Sequence, residues 1–80
     1  MSAQLDLPIL RVPETGTQNY ELLRAFKRGE RLTVAVALER YGCFAISQRV
    51  GELRRQGWPV RSQTIKLPSG KHVSEYWMDK

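Results

Sequence analysis

Apolar positions recur at three- and four-residue spacing in three stretches of this chain, and the rhythm then changes to one that favours strands. In "TGTQNYELLRAFKRGE", Tyr20, Leu23 and Phe26 fall at helical spacing, with Leu22 beside them. Thr17 is placed to cap, Glu21 sits in the first turn and Gly29 follows the last. Lys27 and Arg28 lie where cations suit a helix dipole. The pattern predicts a first helix over residues 17–28.

In "RLTVAVALERYG", Val34, Ala37, Leu38 and Tyr41 make one apolar face behind a second cap, Thr33, and Gly42 ends it. This predicts a second helix over 34–41, with Leu32 before it as a one- or two-residue bridge in a small sheet. "CFAISQRVGELRRQG" predicts a third helix over 45–56, with Ile46, Val50 and Leu53 as its inward stripe and Gly57 as its stop. About three residues around Gly42 separate helices two and three, the length of a helix-turn-helix connection.

Beyond Gly57, "WPVRSQTIKL" and "KHVSEYWMD" flank the turn signal "PSG", which predicts a β-hairpin over 60–67 and 72–78. Its parity is uneven. Val60, Ser62 and Thr64 share one face while Ile65 and Leu67 share the other, so a bulge near 62–64 is expected. Of the second strand, one of the pairs Tyr76/Met78 and Val73/Trp77 is expected in the core, with Trp77 partly covered by the first helix or the arm. Residues 1–16, broken by Pro8, Pro13 and Gly16, read as a flexible N-terminal arm in which "LPIL" is able to dock as an extended segment.

An isolated hairpin is marginal, so this one must pack on the helices. The expected fold is α+β: three helices plus a C-terminal two-stranded hairpin wing over residues 17–80, with a short third strand near Leu32. That is a winged helix-turn-helix arrangement.

Composition narrows the function. The chain has 80 residues and a formal charge of +5, which points to an anionic partner. With one cysteine, Cys43, it forms no internal disulfide, and a reducing, cytoplasmic setting is expected. The single histidine, His72, leaves no metal-ligand cluster and no catalytic set; neither cofactor nor enzymatic activity is expected. Cys43 reads as a small buried hydrophobe. No stretch approaches the roughly 18 apolar residues of a membrane helix, and "MSAQLDLPILRVPETG" lacks the basic start of a signal peptide.

Charge is uneven along the chain. Residues 45–71 hold Arg49, Arg54, Arg55, Arg61, Lys66 and Lys71 against Glu52 alone, an excess equal to that of the whole chain.

The run from Leu32 to Met78 resembles the small helix-turn-helix domains of bacteriophage and prophage genes. The matching positions are Thr33, Ala37, Leu38 and Gly42, then Arg49, Val50, Leu53, Arg54, Gly57 and Val60, then Tyr76. Gly51 inside the third helix departs from the pattern, at up to about 1 kcal/mol of helix stability relative to alanine. The resemblance implies DNA binding in a phage setting, by a transcriptional regulator or by an excisionase-like recombination or replication factor.

In such a domain the third helix enters the major groove. At 100° per residue, Gln48, Gly51, Glu52 and Arg55 lie opposite the buried stripe, with Ser47 to one side. Ser47, Gln48, Glu52 and Arg55 are therefore the candidate base contacts: glutamine pairs with adenine, arginine with guanine, and glutamate accepts from cytosine.

Thr33, Arg31, Arg49, Arg54 and Arg61 are candidate backbone contacts, and Ser69, Gly70, Lys71 and His72 form the wing tip. Thr17 and Gln18 are weaker phosphate candidates at the first helix. Against this stand structural roles: Arg49 paired with Glu39 or Glu52, Arg54 with Glu21, and the threonines serving only as caps.

The expected partner is double-stranded DNA, with a homo-oligomer on DNA and a phage or host protein left open. The competing class is a protein-interaction module anchored by Trp58 and Trp77. RNA binding lacks its usual aromatic platform.

Overall fold

The computed structural model describes residues 11–79. It contains α1 (Gln18–Lys27), α2 (Val34–Tyr41), α3 (Ile46–Arg55), β1 (Arg61–Lys66) and β2 (His72–Trp77). These are the predicted elements, α2 with the predicted bounds and the others shorter by one residue at one or both ends. Both threonine caps form: Thr17 Oγ1 accepts from the Tyr20 amide and Thr33 Oγ1 from the Val36 amide. The helices end on glycines that take positive φ, 64° at Gly42 and 100° at Gly57. At α3 the Gly57 amide donates to Arg54 O and the Trp58 amide to Leu53 O, each at 3.0 Å, so the orphan carbonyls of the last turn are satisfied.

Leu22, Leu23, Ala25 and Phe26 of α1 share one core with Ile46, Val50 and Leu53 of α3, and Leu32, Ala37, Cys43, Val60, Tyr76 and Met78 complete it. Leu32 pairs with Tyr76 through two amide–carbonyl bonds of 2.8 Å, the expected single-residue third strand. Cys43 is fully buried, as a small hydrophobe would be.

Two expectations need correction. First, α2 does not turn its whole predicted face inward. Ala37 is buried and Val36 and Tyr41 pack against the core, but Val34 is 47% exposed and Leu38 38%. The roll of the helix follows from its flanks: Leu32 just before it and Cys43 just after it are both locked inside. Second, the hairpin has no bulge. Its register runs unbroken from Arg61↔Trp77 to Lys66↔His72. The uneven parity exists because both faces carry apolar side chains. Val60, Tyr76 and Met78 enter the core, while Ile65, opposite Val73, is half-buried on the other face with Leu67 and Trp77. Trp77 lies beneath two guanidiniums, Arg31 at 4.3 Å and Arg61 at 5.7 Å from a ring centroid.

Of the expected arm, residues 1–10, including "LPIL", lie outside the described residues. From Arg11 onward the chain is tied down. The Arg11 amide donates to Gln56 O at 3.0 Å, Trp58 Nε1 donates to Arg11 O at 2.8 Å, and Pro13 is buried.

Candidate nucleic-acid interface

The outward face of α3 presents Ser47, Gln48 and Arg55, all exposed, with Gly51 between them. A Cβ on Gly51 would sit 3.7 Å from Arg55 Nη1, so the guanidinium lies back along the helix over the glycine. No carboxylate among the described residues forms an ion pair with Arg55. The exposure of Ser47, Gln48 and Arg55 agrees with the helical phase read from the sequence.

Glu52 is not free in the same way. Its Oε1 accepts from Asn19 Nδ2 at 2.7 Å and from Arg49 Nη1 at 3.0 Å, which pins the middle of α3 to the start of α1. Arg49 thus takes Glu52 as its partner, and Glu39 is not involved. The hydrogen bonds from Asn19 and Arg49 hold the Glu52 carboxyl below its ordinary pKa. A depressed folded-state pKa means that this tie is fully present above the unfolded value of about 4.3 and is lost as pH falls through the folded value. Thermal melts should therefore show an acid limb that Glu52→Gln flattens, leaving the neutral-pH melting temperature slightly lowered. An unchanged acid limb in the variant would remove Glu52 from this role.

Arg54 does not reach Glu21. It donates through Nε to Val60 O at 3.0 Å and through Nη2 to Ser62 Oγ at 3.4 Å, clamping the end of α3 to the first strand of the hairpin. Arg31 pairs with Glu75 at 3.1 Å and Arg61 with Asp79 at 2.9 Å, both at the surface, where such pairs are worth little and are readily exchanged. Thr33 spends its hydroxyl on its own helix; Thr17 Oγ1 accepts from Tyr20 N and donates to Glu14 O at 2.8 Å, and Gln18 Nε2 donates to Gly42 O at 3.0 Å.

At the hairpin tip the Leu67 amide donates to Lys71 O at 2.7 Å and the Gly70 amide to Leu67 O at 2.8 Å. Gly70 has φ 93°, and Ser69, Lys71 and His72 are exposed around it.

Elsewhere, Glu30 gathers Tyr41, Arg28 and Arg40. Burial raises its pKa, but those hydrogen bonds outweigh the effect and leave it below its ordinary value.

Among the described residues, Arg11, Arg24, Lys27, Arg54, Arg55, Lys66 and Lys71 have no carboxylate partner. Lys27 stacks on Trp58 and Arg24 lies over Tyr20. Arg54, Arg55, Lys66 and Lys71 belong to α3 or the hairpin, and α3 also carries the exposed Ser47 and Gln48.

Two residues that no sequence pattern singled out belong to this description. Asn19 fixes Glu52 across 33 positions of chain, a contact without any local signal. Phe44, in the turn just before α3, is 76% exposed. It falls outside the 46, 50, 53 stripe, which is the one hint the sequence carries.

A shallow cleft of about 460 Å³ runs between the docked arm, the start of α1 and α3, walled by Thr17, Asn19, Arg49 and Gln56. No cluster of metal-ligating side chains is present among the described residues, and no helix there is long and apolar enough to cross a membrane.

A family model described as a winged helix-turn-helix domain matches residues 17–80. No curated protein and no solved structure matches the chain.

Proposed function

The chain belongs to the winged helix-turn-helix domain family, and on that footing we propose that it binds double-stranded DNA, with α3 in the major groove and the hairpin tip on the backbone or in the minor groove. The observation that carries this reading is that Arg55, Lys66 and Lys71, exposed cations without a carboxylate partner among the described residues, lie on α3 and the hairpin, and that α3 also presents the exposed Ser47 and Gln48.

Roles divide by what each side chain is already doing. Ser47, Gln48 and Arg55 are the base-reading candidates, and Gly51 lets the helix backbone come close to the groove floor. Lys66, Lys71, Ser69, Gly70 and His72 meet phosphates. Arg31 and Arg61 exchange weak surface carboxylates for phosphate oxygens as the duplex approaches. Thr33 offers the first turn of α2 as a phosphate cradle. Glu52, Arg49 and Arg54 serve chiefly to hold α3 in place.

The resemblance of residues 33–78 to phage and prophage domains supports a narrower role, as a regulator or as a recombination or replication accessory factor acting in the cytoplasm of a bacterial host. A second reading, a module that docks on another protein, draws on the exposed Val34 and Leu38 of α2.

Titration with random-sequence duplex DNA at two salt concentrations tests the proposal. Binding should weaken steeply with salt, and Lys71→Ala should reduce the slope of log K against log salt by about one. Absence of binding at low salt would overturn DNA binding and leave the docking module.

A further inference from the structure

Phe44 is the most exposed large apolar side chain among the described residues, at 76%, and nothing in the packing of the domain uses it. It stands in the turn two residues before Ile46, so it lies at the leading end of α3. Ala45, also exposed, follows it, and then come Ser47 and Gln48. The first three residues of the helix, Ile46, Ser47 and Gln48, carry no charge. Its N-cap is Ala45, whose side chain makes no capping hydrogen bond, and the first turn holds no acid. The trailing end carries Arg54 and Arg55. Along one helix the exposed surface thus runs from apolar, through neutral polar, to cationic.

A duplex offers a matching sequence of surfaces. The floor of the major groove presents thymine C5-methyl groups, the apolar feature by which T·A differs from C·G, beside the adenine edge that a glutamine pairs with. Phosphates, the charged feature, line the rims. The leading end of a recognition helix is the part nearest the base edges, and a ring there meets methyl groups rather than phosphates.

We propose that Phe44 is a specificity-determining residue that packs against a thymine methyl in the major groove. The domain then prefers T·A at the base pair under the start of α3, next to the adenine read by Gln48. This rests on the DNA-binding reading above and extends it to the kind of base sequence recognised.

The test pairs a protein variant with a base variant. Duplexes selected from a random pool are rebuilt with deoxyuracil in place of single thymines, which deletes only the methyl group. For the wild-type protein, one position should lose affinity by about fourfold, the equivalent of one apolar carbon left unburied. For Phe44→Ala the thymine and uracil duplexes should bind equally, and Phe44→Leu should restore part of the difference. The melting temperature of Phe44→Ala should stay near that of the wild type, because the ring is not part of the core.

If the wild type binds duplex DNA but no uracil substitution matters, or if Phe44→Ala keeps the same sensitivity, this inference fails while DNA binding stands. If Phe44→Ala instead changes the oligomeric state, the ring belongs to a protein contact with Leu38 and Val34, and the inference fails in that way. If the wild type does not bind duplex DNA at low salt, the underlying reading fails first.

Discussion

Arg55→Ala is expected to lower affinity for a preferred duplex by about 1–3 kcal/mol, roughly 5- to 150-fold, and to relax the preference at one guanine. Arg55 is exposed, it has no carboxylate partner among the described residues, and it lies over Gly51, where no side chain crowds it. Its removal takes nothing from the core, so the melting temperature should move little. A side chain with no structural duty and a bidentate donor set is well placed for a base edge. The measurement is a set of titrations against the preferred duplex and against copies altered one base pair at a time. An equal loss for every sequence would show that Arg55 meets a phosphate instead.

Phe26→Ala is expected to have the largest effect on folding. Phe26 is the bulkiest of the fully buried side chains and has no exposed surface. Truncating such a ring costs about 3–5 kcal/mol. A domain of this size has a total stability of about 4–12 kcal/mol, at 0.05–0.15 kcal/mol per residue. The variant should therefore lose a quarter or more of that margin, and all of it at the lower end. With about 4–8 °C lost per kcal/mol, its melting temperature should fall by at least about 12 °C. Urea unfolding followed by far-UV circular dichroism checks this. A shift under about 1 kcal/mol would mean that neighbouring side chains collapse into the space. DNA affinity should fall only in proportion to the unfolded fraction, since Phe26 lies away from the α3 surface.

How far the sequence led depended on the range of the interactions. Helix boundaries were legible because their signals are local: Thr17 and Thr33 cap within three residues, and Gly42 and Gly57 stop the chain where a positive φ is required. The inward stripe of α3 was legible for the same reason. The roll of α2 was not, because it is set by Leu32 bridging to Tyr76, more than forty positions away. The site divides along the same line. The exposed positions Ser47, Gln48 and Arg55 follow from helical phase alone. The duties of Glu52 and Arg54 depend on Asn19 and on the Val60 carbonyl, partners that no periodicity reveals. Arg54 looked like a charge seeking an anion, yet two of its donors are spent on a backbone oxygen and a hydroxyl.

If the domain binds DNA as proposed, with α3 in the groove and the hairpin on phosphates, the Arg54 clamp fixes the length of duplex between the two. Arg54 fastens the end of α3 to the start of the hairpin, so the two contact regions cannot shift independently. Inserting one base pair between the helix footprint and the hairpin footprint would move the second by about 3.4 Å along the duplex and about 35° around it. A hairpin on a slack joint would follow. One held at both the Val60 carbonyl and Ser62 would lose its phosphates, and the domain would act as a calliper of fixed gap.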